Sequence, residues 1–111
     1  MLIPRAFTDL SPQRQHLVRL MQRTGYGRIE NLRIQDGQPV LGPEVRRIRE
    51  IKFGGDSGVH PDAAAADFTL KTQVVELMLA LDRIGDGTID CLTVKGGLPF
   101  GMHIDWPPMA A

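Results

Sequence analysis

The chain reads as an α+β protein: two tandem helix–strand–strand repeats forming a four-stranded antiparallel sheet with two helices on one face. Three observations predict this. Residues 17–40 align without a gap on residues 77–100, sixty positions later. Each copy opens with apolar residues at helical spacing, and each continues into a strand-like run that ends in a hairpin signal. The aligned pairs Leu17/Leu77, Arg23/Arg83, Gly25/Gly85, Gly27/Gly87, Ile29/Ile89, Leu32/Leu92, Gly37/Gly97 and Pro39/Pro99 are identical. Apolar anchors and turn glycines therefore recur, while the polar positions between them differ.

In the first copy, Ser11 is a good N-cap and Pro12 occupies the first helical position, where a missing N–H costs nothing. Leu17, Leu20, Met21 and Thr24 follow at i, i+3, i+4 and i+7, a single stripe facing a core. Arg14, Arg19 and Arg23 fall off that stripe. Gly25 ends the helix and Gly27 lets the chain reverse. A strand from about Arg28 to Gln35 carries Ile29, Leu32 and Ile34, which break strict alternation by one residue; Ile89, Leu92 and Val94 break it in the same place. A shared slip predicts a built-in bulge or twist. Asp36-Gly37 and its counterpart Gly96-Gly97 are two-residue hairpin turns.

Residues 43–53 admit two readings. Val45, Ile48 and Ile51 at threefold spacing behind a proline suit a short helix, whereas Ile51 and Phe53 alternating with charges suit the second hairpin strand, which we favour. Residues 54–66, rich in glycine, proline and alanine, form a linker. Residues 1–111 thus make one domain of two pseudo-symmetric repeats, 11–53 and 67–106, related by a pseudo-twofold axis. The second helix is expected from about Asp67 to Ile84, with a core stripe of Leu70, Val74, Leu77, Leu81 and Ile84. It carries a second apolar set, Val75, Met78 and Leu79, where the first helix has Gln15, Val18 and Arg19. That set is the expected partner interface, unless the linker or a tail anchored by Trp106 folds over it.

Composition bounds the function. Apolar residues make up 42% of the chain, normal for a globular protein. The single cysteine, Cys91, cannot form an internal disulfide, and the N-terminal MLIPRAFTDL lacks a charged-then-apolar leader. A cytoplasmic setting and no membrane partner are expected. Net charge is zero but divided: residues 1–53 hold ten Lys/Arg against five Asp/Glu, and residues 54–111 hold three against eight. Such a split suits attraction between halves, head-to-tail association, or an anionic partner for the first half. Arg28, Arg33, Arg46, Arg47, Arg49 and Lys52 are the candidate anion or nucleic-acid contacts. Few aromatics lie near them to stack bases, only Tyr26 and Phe53.

Motifs with apparent chemistry do not hold up. Asp82, Asp86 and Asp90 echo a calcium loop, but Ile84 and Thr93 occupy the third and twelfth positions, where oxygen ligands are needed. The Gly-x-Gly pairs follow a helix C-terminus, which presents carbonyls, rather than leading into the N-terminus that holds phosphate. His16, His60 and His103 lack metal-ligand spacing. No catalytic residues and no cofactor are expected.

The segment from Gln15 to Phe53, with its helix, the hairpin GRIENLRIQDG and the closing REIKF, resembles the YezD-like small bacterial proteins. That resemblance implies a helix followed by a long hairpin, with 77–100 as a diverged second copy, and it implies no site residues. The combined expectation is a small non-enzymatic interaction, adaptor or regulatory protein that self-associates or binds a protein partner. The alternative is a nucleic-acid-binding regulator that uses the arginine-rich strand.

Overall fold

A computed structural model describes residues 3–51, 53–54 and 65–105. After a short 3-10 turn at Phe7–Asp9, the chain runs α1 (Pro12–Thr24), β1 (Gly27–Gln35), β2 (Gln38–Val40), β3 (Arg46–Arg49), α2 (Thr72–Ile84), β4 (Gly87–Lys95) and β5 (Leu98–Ile104). The sheet is antiparallel in the order β2-β1-β4-β5, and β3 pairs with the other end of β1. It therefore has five strands rather than four. The second strand of the first hairpin is interrupted at residues 41–45, where Pro43 has no N–H to give a ladder and Val45 N–H turns back to the Gly42 carbonyl at 3.2 Å. Among the described residues of the 43–53 segment, only Arg46–Arg49 form a strand.

Each helix begins and ends for a local reason. Ser11 Oγ accepts from the Arg14 N–H, and Pro12 starts α1. Gly25 and Gly85 terminate α1 and α2 at φ 70° and 66°, their N–H groups donating to Met21 and Leu81 carbonyls. The second helix starts at Thr72, about one turn later than the sequence suggested. Residues before it are held extended by the N-terminal segment: Phe7 N–H donates to Phe68 O at 2.9 Å, and Leu70 N–H to Arg5 O at 2.8 Å.

Both hairpins use two-residue turns with positive φ at each position, 55° and 74° at Asp36-Gly37 and 60° and 78° at Gly96-Gly97. Those values match the twist that favours tight hairpins. The turn glycines also reach across the molecule. Gly37 N–H donates to the Gly85 carbonyl at 2.7 Å, and Gly97 N–H to the Gly25 carbonyl at 2.8 Å. Each helix C-terminus is thereby closed by the opposite hairpin, which satisfies carbonyls a helix end leaves open. The central ladder pairs Gly27 with Val94 and Ile34 with Gly87. It passes over Asn31 and Asp90, and Asn31 stands at φ 57° with its side chain donating to Glu44 O. This is the expected slip: it brings Ile29 and Leu32, and likewise Ile89 and Leu92, onto one face.

That face, with Ile34 and Val94, packs on Leu17, Leu20 and Met21 of α1 and Val74, Leu77, Met78 and Leu81 of α2 in a single core. The core extends to Phe7, Leu10 and Leu70 outside the regular elements. Arg14, itself mostly buried, ties the two helices and a hairpin together: one guanidinium nitrogen donates to Gly37 O at 2.9 Å and to Asp82 at 2.5 Å.

Candidate interaction surfaces

The strand register divides the arginine set. Arg46 stands opposite Glu30 and Ile48 opposite Arg28, on the sheet face away from the helices; Arg47 stands opposite the buried Ile29, and Arg49 opposite Gly27. Alternation thus sends Arg47 and Arg49 to the α1 side, where Arg49 donates to the Arg23 carbonyl at 2.6 Å near the helix C-terminus. Arg28, Arg33 and Arg46 remain on the open face. Two of them share one carboxylate: Arg28 bonds Glu30 at 2.8 Å and Arg46 lies 3.9 Å from it. The hydrogen bond to Glu30 raises the Arg28 pKa above its ordinary value. Lys52 and the proposed Trp106 anchor lie outside the described residues.

On the open face the register also sets Cys91 between Glu30 and His103. Among the described residues no three His, Cys, Asp or Glu side chains are placed to hold a metal ion. Asp82 and Asp86 have other tasks, Asp82 on Arg14 and Asp86 accepting from Asp36 N–H at 2.9 Å.

The apolar set on the second helix is redistributed. Met78 is 0% exposed and belongs to the core, so it cannot form part of a surface patch. Phe7 and Leu10 enter the core that holds Met78, and Val75 packs against the edge of that core. Leu79 is half-buried and lines a groove of about 340 Å³ between α2 and β5, together with Glu76, Ala80, Arg83, Phe100 and Met102.

Phe100 was not among the sequence candidates, yet it is 67% exposed at the groove's rim. It follows the buried Pro99, so alternation turns it outward as it does Val40 after Pro39, and a register shift, Thr93 with Gly101 and Val94 with Pro99, leaves it as an extra residue on the edge strand. Lys95 Nζ stands 3.8 Å from its ring centre. A second unforeseen feature covers α1. Phe7 and Phe68 stack with centroids 5.0 Å apart, and the Arg19 guanidinium lies 4.2 Å from the Phe7 ring. Arg19 also donates to Gln22, and to the Ala65 carbonyl. The only signal for this was a phenylalanine a few residues ahead of each helix, Phe7 and Phe68.

No helix among the described residues is long and apolar enough to cross a membrane. No family model, curated protein or solved structure matches the chain.

Proposed function

We propose that this chain is a non-enzymatic interaction module, a small cytoplasmic adaptor or regulatory protein that self-associates or binds a protein partner. One observation carries the reading: the α2–β5 groove, where Leu79, Ala80 and Met102 form an apolar floor beside the exposed ring of Phe100. A large aromatic held out on an edge strand next to a groove is the kind of anchor that protein interfaces use. The resemblance to the YezD-like proteins fits a single helix–hairpin unit, and we read this chain as two such units fused. Supporting that reading are the recurrent residues, the pairing of Gly27 with Val94 and of Gly87 with Ile34, and the reciprocal bonds between turn and cap glycines. In such a fusion an interface between two copies becomes internal.

A photo-crosslinking residue at position 100 tests the reading. We expect ultraviolet light to give an adduct with a protein from this position, and none from the same residue placed at Arg33 on the open face. No adduct from position 100, or equal adducts from both, removes the groove as the interaction surface. The nucleic-acid alternative is second because, among the described residues of the basic set, only Arg28, Arg33 and Arg46 share the open face, and Glu30 already neutralises part of their charge.

A further inference from the structure

We propose that the α2–β5 groove receives the same groove of a second copy, related by a twofold axis passing beside Leu79 and Ala80. This rests on the reading of the groove as an interaction surface and names its occupant. Glu76, Leu79, Ala80 and Arg83 fall at i, i+3, i+4 and i+7 on α2, so they share one helix face, and all four line the groove. Glu76 and Arg83 lie seven residues apart, about 10 Å along the axis, too far to pair with each other. Neither has an ion-pair partner among the described residues. A negative end, an apolar middle and a positive end form a pattern that matches itself after a half turn. Antiparallel α2 helices then bring Glu76 of each copy to Arg83 of the partner subunit, with Leu79 and Ala80 at the centre.

Other arrangements fit less well. The residues sixty positions earlier are His16, Arg19, Leu20 and Arg23, which carry no acidic group, and Arg19 is already covered by Phe7 and Phe68. The first helix therefore cannot receive α2 in the same way. Extension of the sheet through β5 is opposed by the shift at Phe100, since a bulge bends an edge strand and interrupts its pairing. A helix-to-helix contact instead uses Phe100 as a flanking wall. Ala80, at the centre of this helix face, supplies a way to block it: a lysine there keeps a good helix former in α2 and sets two like charges beside the twofold axis.

Sedimentation equilibrium on wild type, Glu76→Arg, Arg83→Glu, the double variant and Ala80→Lys decides the matter. We expect a wild-type dimer, and a dimer dissociation constant at least about tenfold weaker in each single charge reversal, because each sets like charges together at two symmetric contacts. The double reversal restores the wild-type constant, and Ala80→Lys is a monomer with an unchanged circular dichroism spectrum. A monomeric wild type, a double variant no tighter than the singles, or an Ala80→Lys dimer overturns the proposal. A monomeric wild type that still crosslinks from position 100 to a different protein overturns the twofold pairing alone. Absence of both dimer and adduct removes the interaction reading as well.

Discussion

Gly27 shows how a single missing side chain can decide a contact between strands. A Cβ built there lies 2.0 Å from the Ile48 carbonyl oxygen and 2.9 Å from Arg49 Cα, both backbone atoms of β3. Its φ of 156° adds to the constraint. At Gly87, by contrast, a Cβ meets only Ile84 Cγ2, at 3.2 Å, and that side chain can move. Gly27→Ala is therefore expected to destabilise the fold by about 2 kcal/mol or more, through loss of β3 pairing. Gly87→Ala should stay within about 1 kcal/mol of wild type. Urea unfolding of the two variants measures the difference, and equal effects would contradict the close approach as its cause. Asp9 is another local device. Backbone N–H groups of Ala6 and Arg5 donate to its carboxylate and lower its pKa below the usual 3.8. Its contribution is present at neutral pH, where the carboxylate is ionised in both states. It is lost as the pH falls through the lowered folded-state value.

Among the elements, the N-terminal segment matters more than its irregular form suggests. It has only one turn of 3-10 helix, yet Phe7 and Leu10 are core residues and its backbone pairs with residues 68–70. That pairing delays the start of α2 to Thr72, and Phe7 and Leu10 add to the core in which Met78 is buried. Phe7 is 5% exposed, and Phe7→Ala should cost about 3–5 kcal/mol by chemical denaturation. Arg19 would lose its stacking surface in the same variant. A change within 1 kcal/mol would show that the segment lies on the core without supporting it. The broken hairpin strand has a comparable origin. Pro43 interrupts a line that β5 continues unbroken on the other side of the sheet, except for its bulges.

At the scale of the whole molecule, charge and topology act together. The first half carries twice as many cations as anions and the second half the reverse excess. Among the described residues the fold does not gather the arginines of β1 and β3 into one patch. Strand alternation puts Arg47 and Arg49 on one side and Arg28, Arg33 and Arg46 on the other. A contiguous strip of phosphate contacts is consequently absent among the described residues. Fluorescence anisotropy with duplex and single-stranded oligonucleotides at ~50 mM salt, where such contacts are strongest, should show no saturable binding. Saturable binding that weakens with Arg33→Ala and Arg46→Ala would restore the open face as a nucleic-acid surface.

Much of the local structure was written in residue type and spacing. The stripe Leu17, Leu20, Met21 and Thr24 is buried as its period requires, Gly25 and Gly85 cap their helices, and the turns at 36–37 and 96–97 take the conformation their residues favour. These features depend on neighbours a few positions apart, so sequence alone could carry them. The slip at Ile29 and Leu32 was legible for the same reason, although the left-handed backbone at Asn31 was not. What tertiary structure decided were matters of long-range contact. Met78 lies in a core completed by Phe7 and Leu10, far away in sequence, and Phe100 stands as an extra residue of β5 because of a shift between strands. The arginine run was legible as a charge excess, but its division between two faces depends on which β1 residue each arginine opposes. Hydrophobicity specifies that a side chain seeks cover; only the packing of remote segments determines which side chains obtain it.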